Sequence, residues 1–136
     1  MSSRYQASSW SVELPAGWDL EEREGYVAAR SPRGAELRFT SFAPAEANLG
    51  AERWTEVAAH FDRIKRRAVT PARCGDFGGY EVQFAAAGSW ILGWALAANA
   101  VPLSVTYRCT EADAGVEDAA LYQILTTLRL TGARLS

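Results

Sequence analysis

The stretch Gly78–Cys109, GGYEVQFAAAGSWILGWALAANAVPLSVTYRC, decides how the chain is read. From Tyr80 to Ala86, Tyr80, Val82 and Phe84 alternate with Glu81 and Gln83, the period of two that marks a half-buried strand. From Trp90 to Ala98 both sides are apolar: Trp90, Leu92, Trp94 and Leu96 face one way, Ile91, Gly93, Ala95 and Ala97 the other. Such a strand is expected to be covered on both faces, with large groups on one side and small ones on the other that let a second layer come near. After a turn at Ala98-Asn99-Ala100, Leu103, Val105, Tyr107 and Cys109 oppose Ser104, Thr106 and Arg108. Pro102 sits at the strand's start, where its missing donor is tolerated. The stretch predicts a three-strand antiparallel meander in the middle of a sheet.

Towards the N-terminus, residues 1–8 are polar and are expected to be flexible. Trp10, Val12 and Leu14 alternate with Ser11 and Glu13, a short strand ended by the turn Pro15-Ala16-Gly17. Trp18 and Leu20 resume an apolar face before the acidic Glu21, Glu22 and Glu24. Tyr26–Ala29 and Ala35–Phe39 read as a hairpin, because Ser31-Pro32-Arg33-Gly34 supplies the fixed φ and the permissive glycine of a tight reversal. Between about Glu52 and Arg66 the spacing changes to 3.6, with Trp54, Val57, Ala58, Phe61 and Ile64 on one stripe, so a helix is expected there. Val69–Gly79, with Pro71, Gly75, Gly78 and Gly79, reads as a loop with at most one short strand. A last helix starts in the TEADAG segment, capped by Thr110 or Asp113, with Val116, Ala120, Leu121, Ile124, Leu125 and Leu128 inward. Leu128 and Leu130 can continue into a short strand.

The 136 residues fit one domain, expected over 9–130 with a tail at 131–136. The apolar share of 49% is that of a packed globule. A formal net charge of −2 gives no general attraction for nucleic acid or anionic lipid. The start MSSRYQASSW lacks the apolar run of an export signal, and Trp90–Leu103 is too short and too interrupted to span a bilayer, so a cytoplasmic location is expected.

Chemistry is sparse. The one histidine, His60, falls beside the stripe of the first helix and reads as a partly exposed helix residue. With Cys74 and Cys109 it makes no metal-ligand spacing, so no metal site is expected. The two cysteines do not form a Cys-x-x-Cys pair and are expected to be unpaired. Cys109 reads as a small buried hydrophobe, Cys74 as an exposed thiol beside Arg73. Gly75, Gly78 and Gly79 lack the spacing and the Lys-Ser or Lys-Thr of a phosphate loop. No catalytic residue and no cofactor is assigned. The basic cluster Arg63, Lys65, Arg66 and Arg67 suits a helix end or an acidic protein surface. Five tryptophans exceed what a small core needs, so Trp10 and Trp18 are candidate partner anchors.

A leading strand ending in Leu14-Pro15-Ala16-Gly17-Trp18, a hairpin, a long helix, a meander and a closing helix ending in Leu128-Arg129-Leu130 resemble the superfamily of PsbP and the Ran-binding Mog protein. That resemblance covers about residues 9–130 and includes small bacterial proteins associated with type VI secretion. It implies an α+β fold, an antiparallel sheet flanked by helices in an α-β-α sandwich, and a non-catalytic accessory role without a shared catalytic motif. A chaperone, adaptor or immunity protein for a bacterial effector is one form of that role.

Three functions follow as expectations. The first is a protein-binding module using Trp10, Trp18 and the Arg63, Lys65, Arg66, Arg67 patch. The second is a small-ligand carrier or hydrolase with a pocket lined by Trp90, Trp94 and Tyr107. The third is a self-associating structural protein, dimeric through the sheet.

Overall fold

The computed structural model describes residues 3–7, 9–41, 69–99 and 101–131. The expected first helix with Trp54 and His60, and the basic residues Arg63, Lys65, Arg66 and Arg67, lie outside the described residues. The described strands are β1 (Ser3–Gln6), β2 (Trp10–Leu14), β3 (Asp19–Arg23), β4 (Tyr26–Arg30), β5 (Glu36–Ser41), β6 (Val69–Cys74), β7 (Phe77–Ala86), β8 (Ser89–Ala98), β9 (Val101–Thr110) and β10 (Arg129–Leu130). One 3₁₀ turn, Glu111–Asp113, and one helix, α1 (Asp118–Thr126), join β9 to β10.

The strands form two antiparallel sheets. A seven-stranded sheet runs β3-β4-β5-β9-β8-β7-β6, and a three-stranded sheet runs β1-β2-β10. The α-β-α sandwich is therefore corrected: the described residues are mostly antiparallel sheet, and the layer over one face of the large sheet is α1 together with the small sheet. Two readings caused the error. Val69–Gly79, expected to be a loop, is a hairpin of β6 and β7 closed at Gly75-Asp76. Residues 3–6, expected to be flexible, pair along β2 from Ser3↔Leu14 to Gln6↔Ser11.

The meander is as expected. β7 pairs β8 from Gly78↔Ala97 to Ala86↔Ser89, and β8 pairs β9 from Ser89↔Thr110 to Ala98↔Val101. Leu92 through Leu96 are all buried, so the middle of β8 is covered on both faces, Ala95 to 4% exposure. Gly79 permits this close approach: a Cβ there would lie 1.9 Å from the Ala95 carbonyl oxygen.

The core lies on the inner face. Leu92, Trp94 and Leu96 of β8, Leu103, Val105 and Tyr107 of β9, and Leu37 and Phe39 of β5 meet Trp10, Val12 and Leu14 of β2 and Leu121, Ile124, Leu125 and Leu128 at α1. The helix stripe is correct from Leu121 onward, but Val116 precedes the helix and is 53% exposed. Neither Thr110 nor Asp113 caps α1; Glu117 holds that position without a side-chain bond to the backbone. The two sheets are tied where the Asp76 N–H donates to the Leu128 carbonyl at 2.9 Å and the Leu130 N–H donates to Asp76 Oδ2 at 2.9 Å.

Candidate functional site

Among the described residues, four of the five aromatics expected to form sites are buried. Trp10, at 1% exposure, stacks on Phe39 with ring centroids 5.2 Å apart, and Trp18 is buried in the same core. Neither indole is a surface anchor. Both are expected from sequence to be surplus to the core, but the small sheet laid over the large one enlarges that core and they fill it.

The expected aromatic pocket is likewise filled. Trp94 and Tyr107 are fully buried against Leu121, Ile124 and Leu125, and Trp90 packs half-buried at their margin. Their polar atoms are committed: Trp94 Nε1 donates to Glu81 Oε1 at 2.9 Å, and the Tyr107 hydroxyl donates to Glu117 Oε1 at 2.7 Å. Burial together with that bond to a carboxylate pushes the Tyr107 phenol well above its ordinary range. Glu81 also accepts from the Tyr122 hydroxyl at 2.7 Å and from Gln83 Nε2 at 3.0 Å, so one inward carboxylate joins β7, β8 and α1. Desolvation and that bond raise the Tyr122 phenol as well.

Both cysteines are free and buried. Cys74, expected to be an activated surface thiol, is 3% exposed, and burial pushes its thiol up to about 11. A thiol so placed is a poor nucleophile near neutral pH. Among the described residues there is no group of three or more His, Cys, Asp or Glu that could hold a metal ion.

What remains is the outer face of the large sheet. Strand register places Asp19, Arg30, Glu36 and Arg108 directly opposite one another in a row across β3, β4, β5 and β9. Residues paired directly opposite share a face, so this is a ladder of alternating charge, minus, plus, minus, plus. The next row is Glu21, Ala28, Arg38 and Thr106; continuing the β4–β5 register one residue past its last pair, Val27↔Phe39, gives a third, Arg23, Tyr26, Thr40 and Ser104. Asp19, Arg30, Arg38 and Arg108 are exposed, and Glu36 is half-buried. An open depression of ≈ 570 Å³ lies over this area, floored by Ala28 and rimmed by Asp19, Glu21, Arg23, Arg30 and Glu36.

The ladder charges do not neutralise one another across the strands. Arg30 donates to the Gly34 carbonyl at 3.1 Å and Arg108 to Ser89 Oγ at 3.3 Å. Glu36 pairs with Arg38 on its own strand at 3.2 Å, while Arg38 also lies 4.1 Å over the Tyr26 ring. No local pattern marks this surface, because its four charges are scattered from position 19 to position 108 and only the register gathers them.

The fold is similar to those of several solved structures. Cyanobacterial PsbP (CyanoP) from Synechocystis sp. PCC 6803 matches with a TM-score of 0.58 at 12% identity, over 95% of this chain and 92% of that one. LpqN, involved in cell envelope biogenesis of Mycobacterium tuberculosis, matches with a TM-score of 0.53 at 10% identity, over 96% of this chain and 90% of that one. A structure from Bacteroides thetaiotaomicron VPI-5482 matches with a TM-score of 0.62 at 12% identity over 93% of this chain, which spans about half, 47%, of that protein. No protein-family model and no curated protein matches the sequence. Among the described residues no helix is long and apolar enough to cross a membrane.

Proposed function

We propose that the protein is a non-catalytic accessory module that binds protein through the outer face of β3, β4, β5 and β9. The observation that carries this reading is the division of labour between the two faces of the sheet. On the inner face, every large aromatic expected to line a pocket is used in packing or in a hydrogen bond to a carboxylate. On the outer face, charges of both signs surround an open depression with a small-residue floor, a surface suited to a broad polar partner. The names of the PsbP and LpqN neighbours state no reaction, which agrees with an accessory role.

A chaperone, adaptor or immunity protein for a bacterial effector is the particular form of this reading, and two unpaired buried thiols suit a reducing cytoplasm. The test is capture by the tagged chain in cells that also make an untagged copy. Wild type is expected to retain protein, and Arg30→Glu, beside an untagged copy carrying the same substitution, to lose it. Capture of no protein, its own copy included, overturns the reading.

A further inference from the structure

We infer that the outer face docks against the same face of a second copy of this chain, an inference that rests on that face being the binding surface. The reason is a symmetry property of the ladder. In a face-to-face pair related by a two-fold axis parallel to the strands, every row must lie on itself in reverse order. The row Asp19, Arg30, Glu36, Arg108 has an even number of members and alternates in sign. Its reverse is therefore its complement. With the axis between β4 and β5, Asp19 meets Arg108 of the second copy and Arg30 meets Glu36, each contact occurring twice.

The other two rows do not oppose this. In the second row Glu21 meets Thr106 and Ala28 meets Arg38; in the third Arg23 meets Ser104 and Tyr26 meets Thr40. No like charges face each other in any row. The ladder also stops where the complementarity stops, since the next residue in the row, on β8, is Ile91. Because among the described residues Arg30 and Arg108 are held by neutral groups and Asp19 has no ion pair, these charges are available to a partner. A centre placed on a strand sets a charge against itself, and a centre between β3 and β4 or between β5 and β9 matches only one kind of charge pair, so the centre between β4 and β5 is favoured.

The contacts that specify the pair are exposed charges, so the pair is weak and depends on salt. The charge pattern dictates a selective test. R30E turns the ladder to minus, minus, minus, plus, and E36R turns it to minus, plus, plus, plus. Each variant repels itself, yet the two are complementary to each other at all four positions. Sedimentation equilibrium up to about 1 mM protein at low salt should show wild-type dimer that dissociates at about 1 M salt, where the Debye length is about 3 Å. R30E and E36R alone should each associate at least about tenfold more weakly, and their equimolar mixture should recover a one-to-one pair. D19R and R108E form a second pair with the same logic, should either first variant lose its fold by circular dichroism. A monomeric wild type, or a mixture no more associated than its components, overturns the inference. If the wild type is monomeric while R30E abolishes capture of a different protein, the second copy is excluded and the binding role of the face stands.

Discussion

Trp94 on β8 and Glu81 on β7 lie directly opposite across the strands, and the indole Nε1 donates to the Glu81 carboxylate at 2.9 Å. A hydrogen bond to a charged acceptor is worth about 1.5–3 kcal/mol, and Glu81 sits on the inward face, where a lost donor is not replaced fully by water. Trp94→Phe is expected to destabilise the fold by about 3 kcal/mol, the lost bond and the lost ring volume acting together. Tyr122→Phe, which removes only the second donor to Glu81, is expected to cost about 1 kcal/mol. Urea unfolding of the two single variants and the double variant measures the coupling through Glu81.

Trp10 is the contrasting case. Among the described residues its buried Nε1 has no hydrogen-bond partner. Trp10→Phe therefore relieves an unsatisfied donor while losing ring volume, and is expected to cost less than Trp94→Phe in the same assay. Equal losses would show that the Glu81 bond contributes nothing beyond packing.

Two glycines and one alanine test the backbone. At Gly75, with φ +64, a Cβ would lie 2.0 Å from the Leu128 carbonyl oxygen, at the junction between the sheets. Gly75→Ala is expected to cost more than about 3 kcal/mol, whereas Gly34→Ala, also at positive φ but facing open space, should cost about 1 kcal/mol. At the β7–β8 turn, Ala87 is held at φ 51, a left-handed conformation that glycine adopts without strain. Ala87→Gly is expected to stabilise by about 0.5 kcal/mol, read as a rise in thermal midpoint.

Stability should fall in alkali by way of Cys74. Its folded-state thiol is raised from 9.0 to about 11 by desolvation first and by the Glu81 charge second. A group whose folded value lies above its unfolded one contributes stability that is complete below the lower value and lost as pH rises through the higher. The loss therefore falls between about pH 9 and 11 and amounts to about 2 kcal/mol. Denaturation across that range should show a slope that Cys74→Ala reduces, the remainder belonging to Cys109 and to the raised phenols of Tyr107 and Tyr122.

The meander was legible because alternation over β7, β8 and β9 is strict, and a period of two admits few other structures. β3 was not, since Asp19, Glu21, Glu22 and Arg23 carry no apolar alternation: the strand is an exposed edge, fixed by pairing with β4 and not by burial. The β6–β7 hairpin was hidden by its glycines. Gly79 reads as a loop residue, yet it stands in a strand to let the Ala95 carbonyl pass close by. The site was illegible for a different reason: Asp19, Arg30, Glu36 and Arg108 become neighbours only through four-strand register, which no local pattern encodes.

The central claim is that the outer face, not the filled inner face, carries the function. The most direct measurement compares capture of protein by wild type, by Arg30→Glu, and by Trp94→Phe, each beside an untagged copy of the same sequence, at a temperature where all three are folded. Capture is predicted to be lost in the outer-face variant and kept in Trp94→Phe. Retention by the outer-face variant with loss in Trp94→Phe would contradict the account.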